Sequence, residues 1–150
     1  EITASFPFIT TRKFIDADWK KVQLWARNHT TEDALFLTPP RNGGFRVYSK
    51  RSAVVEWKDG APLTYAPLAL LEWWQRMQEL GYQLDLKKEH IIDPESIAPS
   101  ALLKTAEKYH ASYIVVARPA RLELPVKFQN STYIIYENIH VTATPGGSGK

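Results

Sequence analysis

The sequence predicts a three-layer α/β domain with a mixed sheet, parallel at its centre, and about three helices. Two observations predict this fold. Helical patterns are twice followed by short, wholly apolar runs, residues 34–37 and 113–117, which are typical of buried parallel strands. Near the end of the chain, residues 124–128 and 133–137 flank a polar turn over 129–132. That arrangement predicts an antiparallel C-terminal hairpin at one edge of the sheet.

The first helix is predicted between an N-cap at Asp18 and residue 27 or 28. Its apolar residues recur on one helical face: Trp19, Val22, Trp25 and Ala26. Two stretches that follow, residues 45–48 and 53–57, have strand composition, and the polar residues between them favour a turn.

Two further helices are marked by their ends. A helix over residues 68–80 begins after Pro67 and stops at Gly81, the positions that these two residue types favour. A helix over residues 101–109 stops at His110, where glycine is usual, and histidine tolerates the left-handed backbone better than most residues. These helices supply the layers that cover the sheet.

Composition bounds the domain organisation and excludes several classes. The 150 residues, 44% hydrophobic and 23% charged, suit one soluble domain. We expect a lead-in segment over residues 1–17, a domain over 18–139, and a flexible tail or linker over 140–150. The chain has no cysteine, which excludes a disulfide framework and thiol catalysis. Its net charge of +3 is spread along the sequence, so no specific nucleic-acid partner is expected.

Motifs for catalysis, metal binding or cofactor binding are not found in the sequence. No two of the histidines are spaced as metal ligands on a helix: His29, His90, His110 and His140. No serine lies in a nucleophile elbow, and neither phosphate-binding glycine motif can be written through Gly43 and Gly44. We therefore predict no catalytic residue, no metal and no cofactor.

The most informative loop leaves the first predicted strand. Ligands of open α/β sheets gather at the carboxyl ends of the strands, and residues 38–44 leave such an end with Arg41 and Arg46 near by. Either this is a glycine turn with solvated arginines, or it contacts an anion or a sugar. On the helix over 68–80, Trp74 belongs to the apolar stripe, while Trp73 belongs either to the core or to a surface that faces a partner.

Several blocks of the chain resemble a known kind of domain. The first blocks are residues 25–30, 33–40, 44–46, Ser49, Arg51 and residues 54–60; the later blocks are residues 103–116, 124–126 and 133–136. Together they resemble a soluble domain of unknown function at the C-terminal end of large bacterial polytopic membrane proteins. Those proteins look like GT-C-type glycosyltransferases, which use lipid-linked sugars. The likeness covers about residues 18–138, and the first blocks carry most of its specificity.

The resemblance implies an extracytoplasmic domain that is tethered behind a membrane-embedded catalytic part. In such proteins the catalytic acidic residue lies in a loop between membrane helices. His110 departs from the glycine expected at its position. Ligand contact and fold maintenance are both open for the matching motif residues, which are Pro39, Pro40, Phe45, Arg46, Arg51, Trp57 and Lys58.

Three functions follow as hypotheses. The leading one is a non-catalytic extracytoplasmic accessory domain of a membrane glycosyltransferase-like protein, which positions an acceptor or a lipid-linked sugar. Its expected partners are the membrane-embedded part of the parent protein and a lipid-linked sugar or anionic headgroups. The predicted ligand contacts are Pro39, Pro40, Arg41, Arg46, Arg51 and Lys58, and the predicted interface residues are Trp57 and Trp73.

The second hypothesis is a free-standing α/β enzyme or binding protein for a phosphorylated or nucleotide ligand. A pocket at the same sheet edge, with His29 or Asp33 within reach, would favour the enzyme. The third hypothesis is a self-associating structural subunit.

Overall fold

The structure, a computed structural model, describes the backbone of residues 6–60 and 65–143 and the side chains of residues 17–60 and 65–143. Its helices are α1 (Phe6–His29), α2 (Phe45–Ser49), α3 (Pro67–Glu79), α4 (Pro99–Lys108) and α5 (Ile139–Thr142), and a 3-10 turn spans Trp57–Gly60. Its strands are β1 (Leu35–Leu37), β2 (Ser52–Ala53), β3 (Gln83–Asp85), β4 (His90–Ile92), β5 (Tyr113–Ala117), β6 (Val126–Gln129) and β7 (Tyr133–Glu137).

A five-stranded mixed sheet in the order β2–β1–β5–β7–β6 organises the domain. Strand β1 runs parallel to both β2 and β5, with Phe36 opposite Ala53 on one side and Tyr113 on the other. Strands β5, β7 and β6 pair antiparallel. The predicted α/β fold, with a parallel centre and an antiparallel C-terminal hairpin, is confirmed. A short antiparallel pair, β3 and β4, forms a second sheet that the sequence reading did not anticipate.

Apolar clusters cover both faces of the main sheet. On one face Trp19, Val22 and Ala26 of α1 pack with Phe36 and Phe45. On the other face residues of α3 and α4 pack against the sheet, among them Met77, Leu80, Leu102 and Ala106. Alternate residues of β5 enter opposite clusters, which explains why its sequence is apolar without alternation.

The strand predicted for residues 45–48 is wrong, because these residues form helix α2. Gly44 and Lys50, at its two ends, have left-handed backbone with φ of 67° and 54°. The Glu56 carboxylate accepts hydrogen bonds from the backbone N–H groups of Gly44 and Phe45, at 3.2 and 2.9 Å, and so caps the start of the helix. The strand predicted for 53–57 is reduced to β2, and the 3-10 turn begins at Trp57.

The N-cap predicted at Asp18 is also wrong, because α1 begins at Phe6. Asp18 lies within the helix, and its carboxylate accepts hydrogen bonds from the hydroxyls of Thr132 and Ser131 at 2.5 and 2.9 Å. These bonds, in that order, lower the pKa of Asp18. Residues 1–5 of the predicted lead-in lie outside the described residues, as do 144–150 of the predicted tail, whose first residues belong to α5.

The predicted helix ends are confirmed. Pro67 occupies the first turn of α3, and Gly81 follows its end with φ of 102°. His110 follows α4 with φ of 59°, the left-handed geometry that a glycine would otherwise supply.

Candidate functional site

A pocket of about 470 Å³ lies at the carboxyl ends of the parallel strands β1 and β5. This volume is within the range of small-molecule sites, about 300–1,000 Å³. Its position is the one at which open α/β sheets bind ligands. The pocket is lined by Pro39, Glu95, Ser96, Ile97, Pro99, Leu102, Val115, Val116, Ala117, Arg118, Pro119 and Ala120.

The lining is mostly apolar, with a few polar groups. Its ionisable residues are Glu95 and Arg118. The Arg118 side chain is held by the C-terminal hairpin, because its Nε donates to the Asn130 carbonyl at 2.8 Å and its Nη2 donates to Gln129 Oε1 at 2.7 Å. A guanidinium has five N–H donors, so this fixed cation keeps donors for a further acceptor. The arrangement suits a ligand with an apolar body and an acidic group.

A buried hydroxyl lies at the exit of β1. Thr38, at the exit of β1, is buried, and its Oγ1 has no hydrogen-bond partner among the described residues. A buried polar group without a partner costs roughly 1–3 kcal/mol. Thr38 directly precedes Pro39 of the pocket lining but is not itself part of that lining.

Arg41, a predicted ligand contact, is engaged within the domain. Its Nε donates to Asp93 Oδ2 at 2.6 Å, and its Nη2 donates to the second carboxylate oxygen. Its guanidinium carbon lies 3.2 Å from the centre of the Trp57 ring, in cation–π geometry. The hydrogen bonds with Asp93 raise the pKa of Arg41, and the same bonds lower the pKa of Asp93. Arg41 therefore joins the loop after β1 to the end of β4.

Arg46 and Lys58 lie beside the same loop. Arg46 is exposed and forms an ion pair with Asp59 at 3.2 Å. The aliphatic part of the Lys58 side chain covers Gly43, where an added Cβ would lie 3.4 Å from it. Contact of either cation with a ligand stays a prediction.

Arg51 was predicted as a ligand contact together with these cations, but its surroundings in the structure are different. It is buried, and its Nη2 donates to the carbonyls of Arg27 and Thr30 at 2.9 and 2.7 Å, while its Nε donates to Thr30 Oγ1 at 3.1 Å. These carbonyls belong to the C-terminal end of α1, which has unpaired acceptors. The geometry favours fold maintenance over ligand contact for this residue.

The two predicted interface tryptophans are half-buried and in contact with each other. Their ring centres lie 5.9 Å apart. Trp73 Nε1 donates to the Glu56 carbonyl at 2.9 Å, and its ring lies against Gly60, where an added Cβ would be 2.7 Å away. Both pack against the core beneath α3. Their use as an interface to a partner stays a prediction.

The structure therefore places only some of the predicted ligand contacts at the pocket. Pro39 lines the pocket, and Pro40 is buried beside it, its carbonyl accepting the backbone N–H of Trp57 at 2.8 Å. The remaining predicted contacts surround the loop after β1 or, for Arg51, lie at the end of α1.

Sequence reasoning missed most of the pocket. The missed residues lie in two segments: the first contains Glu95, Ser96, Ile97, Pro99 and Leu102, and the second is residues 115–120. A signal for the second segment was present, since β5 was predicted correctly and Arg118 follows it. The strand-end rule that was applied to β1 would have selected it. The first segment carries no comparable signal, because it is irregular up to the start of α4.

Groups named for the alternative functions lie elsewhere. Asp33 precedes β1, at the edge opposite the pocket, and His29 ends α1, where its Nδ1 lies 3.0 Å from the Trp25 carbonyl oxygen. Among the described side chains, those of residues 17–60 and 65–143, no cluster of histidine and acidic groups is arranged to hold a metal ion. Within the described backbone, residues 6–60 and 65–143, no helix combines the length and apolarity that crossing a bilayer requires.

Fold and site together define a three-layer α/β domain with an apolar pocket at the carboxyl edge of its parallel strands. Residues 17–80 match the family described as Domain of unknown function (DUF6798). This region extends from α1 through α3 and contributes Pro39 to the pocket, whereas the other lining residues follow it. No curated protein and no solved structure showed significant similarity to the chain.

Proposed function

We propose that this chain is a non-catalytic accessory domain on the extracytoplasmic side of a membrane glycosyltransferase-like protein. In this role it binds an acceptor or a lipid-linked sugar in the pocket at the carboxyl edge of the sheet. The observation that carries the proposal is the pocket itself, which has apolar walls and includes Arg118, whose guanidinium is held by the C-terminal hairpin. The motif resemblance supports the membrane context.

The chemistry of the lining supports the class of ligand. Leu102, Ile97, Pro119 and Ala120 present apolar surface, and removing such surface from water provides about 25 cal/mol for each Å². A phosphate or carboxylate accepts hydrogen bonds from arginine in charge-assisted geometry. An amphiphile with a prenyl-like chain and an acidic group would therefore use both parts of the lining.

The position of the titratable groups favours binding over catalysis. A base such as His29 or an acid such as Asp33 within reach of a pocket at this edge would favour the enzyme hypothesis. The pocket exists, but Asp33 lies at the opposite edge and His29 ends α1. The ionisable lining residues are instead Glu95 and Arg118, of opposite charge.

The self-association hypothesis has one observation in its favour. Tyr65 and two leucines at the start of α3, Leu68 and Leu71, are exposed, the leucines by 81% and 63%. Exposed apolar patches mark interaction surfaces in many proteins. The same surface would serve the parent protein's membrane-embedded part as a partner. Light scattering over rising concentration separates the two, since self-association requires the mass to increase.

Ligand binding can be mapped by NMR on the isotope-labelled chain. Farnesyl phosphate is the probe, with farnesol and inorganic phosphate as its two halves. We expect shifts at residues 96–102 and 117–120, strongest for the intact amphiphile. Shifts at residues 39–46 would add the loop to the site. No shift in either region at millimolar probe would contradict the proposal.

Arg118 and Arg27 supply a matched pair of variants for the same titration. Arg118→Met removes the cation of the pocket and should weaken farnesyl phosphate about tenfold while leaving farnesol unchanged. Arg27→Met removes an exposed cation outside the lining and outside the predicted contacts, and it should change neither. An equal loss in both variants would mean that general charge attraction, not the pocket, drives binding.

A further inference from the structure

One wall of the pocket is an irregular segment, residues 93–98, here called the strap. It runs from the end of β4 to the start of α4, and Glu95, Ser96 and Ile97 line the pocket. Among the described residues, the strap makes one backbone hydrogen bond, in which the Leu102 N–H of α4 donates to the Ala98 carbonyl at 3.1 Å. A segment with few backbone bonds opens locally at low cost.

Side chains hold the strap in place. Ile97 packs against the core, and Pro94 lies over Gly81, where an added Cβ would be 3.4 Å from it. The polar tie is Asp93, which receives two hydrogen bonds from Arg41. Most of the strap is solvent-exposed: Asp93, Glu95, Ser96 and Ala98.

Arg41 is well placed to fasten the strap to the opposite side of the pocket. It follows Pro39 of the lining in the loop after β1, and its guanidinium rests on the Trp57 ring. Trp57 is itself anchored, because its backbone N–H donates to the Pro40 carbonyl at 2.8 Å. Stacking holds the planar fork in one orientation, so less side-chain freedom is lost when it pairs with Asp93. Pro39 on one side of the pocket is two positions before Arg41, and Glu95 on the other side is two positions after Asp93. The ion pair therefore joins the two sides of the pocket close to its lining.

We infer that the strap is the movable wall through which a ligand enters the pocket, and that Arg41 and Asp93 are positioning residues that keep it closed. This inference rests on the proposed function, because it assumes that the pocket takes a ligand. Opening the strap separates Ile97 from the core and exposes Leu102 behind it. The apolar part of an entering ligand would then cover the same surface, and closure would restore the ion pair.

A thiol placed behind the strap measures its opening without any ligand. The chain has no cysteine, so Leu102→Cys introduces a unique reactive group. Leu102 is buried in the pocket lining, whereas Ser100, two residues earlier on α4, is exposed and outside that lining. We expect the Leu102→Cys thiol to react slowly with a maleimide, and Asp93→Asn to accelerate this about fivefold. Labelling of the Ser100→Cys control should not change.

Two results overturn the inference. One is an unchanged labelling rate behind the strap in the Asp93→Asn background. The other is an equal acceleration in the Ser100→Cys control, which would show that α4 as a whole has loosened. Glu79→Gln provides a second control, because it removes the ion pair of Lys108 with Glu79, which joins α3 to α4 and does not touch the strap.

Hydrogen exchange tests the same point in a chain that keeps Leu102. Asp93→Asn should speed exchange of the Leu102 amide, which donates to the Ala98 carbonyl of the strap, about fivefold and leave amide exchange in β5 unchanged. Unchanged exchange at Leu102 overturns the inference. The probe titration with farnesyl phosphate stands apart from both readouts. If only that titration fails, the proposed ligand class is refuted. If only the labelling and exchange experiments fail, the inference that the strap is a movable wall is refuted.

Discussion

Arg51→Met separates the two roles that the motif residues could have. Methionine keeps most of the apolar stem of the side chain and removes the guanidinium. In the structure that guanidinium donates to the carbonyls of Arg27 and Thr30, at 2.9 and 2.7 Å, and to Thr30 Oγ1 at 3.1 Å. The variant therefore removes three hydrogen bonds from the C-terminal end of α1 without creating a large cavity.

The size of the effect follows from these contacts. Hydrogen bonds to a charged group contribute about 1.5–3 kcal/mol each, and water replaces part of them at a helix end. We expect Arg51→Met to lower the free energy of unfolding by about 3 kcal/mol. For a domain of this length that corresponds to a fall in Tm of roughly 6–12 °C. Arg51→Lys keeps the charge but loses the planar fork, so its loss should be about half as large.

Urea denaturation and calorimetry provide the assay, with Arg46→Met as the matched control. Arg46 pairs with Asp59 while its side chain is 49% exposed, and exposed pairs contribute about 1 kcal/mol or less. A loss below about 0.5 kcal/mol for Arg51→Met would refute the assignment of Arg51 to fold maintenance. Equal losses for the two variants would refute the contrast between them.

Further predictions concern a glycine, two threonines and an aspartate. Gly60→Ala should destabilise the domain by about 1–3 kcal/mol, because its Cβ would lie 2.7 Å from the Trp73 ring, and calorimetry measures the loss. Thr38→Val removes a buried hydroxyl without a partner, so urea denaturation should show stability unchanged or raised by about 1 kcal/mol. Thr105→Val, with the same kind of hydroxyl in α4, should behave alike in denaturation. Because Arg41 lowers the pKa of Asp93 in the folded state, this carboxylate stabilises the fold above about pH 4 and loses the effect as pH falls through its lowered pKa. The stability difference between the parent and Asp93→Asn should therefore shrink on acidification, and a difference independent of pH would contradict this.

Local patterns predicted the parts of the fold that depend on local physics. Continuous apolar residues identified β5, and Pro67 and Gly81 marked the ends of α3. The error at residues 45–48 has a non-local cause. Strand composition there is outweighed by left-handed Gly44 and by the carboxylate of Glu56, which caps α2 from a later turn of the chain. Residues 44–50 by themselves therefore carry no sequence signal for this cap, because the capping carboxylate lies outside the helix at Glu56.

The sequence could predict only those pocket residues that directly follow a strand. The strand-end rule led to Pro39, which lines the pocket, but the arginines near it were judged by charge alone. Their partners come from distant segments, as when Asp93 meets Arg41 across 52 positions of sequence. The strap is irregular, so neither periodicity nor composition marks it as a wall of the pocket.

The central claim is that the carboxyl-edge pocket binds an anionic amphiphile. Calorimetric titration of farnesyl phosphate into the parent chain and into Ala120→Trp, which fills the pocket, tests it directly; Ala143→Trp, at an exposed position, is the control. The account predicts saturable binding by the parent chain and the control, and a loss of at least about tenfold in affinity for Ala120→Trp. Binding that is equal in all three proteins, or absent from the parent chain at millimolar probe, would contradict it.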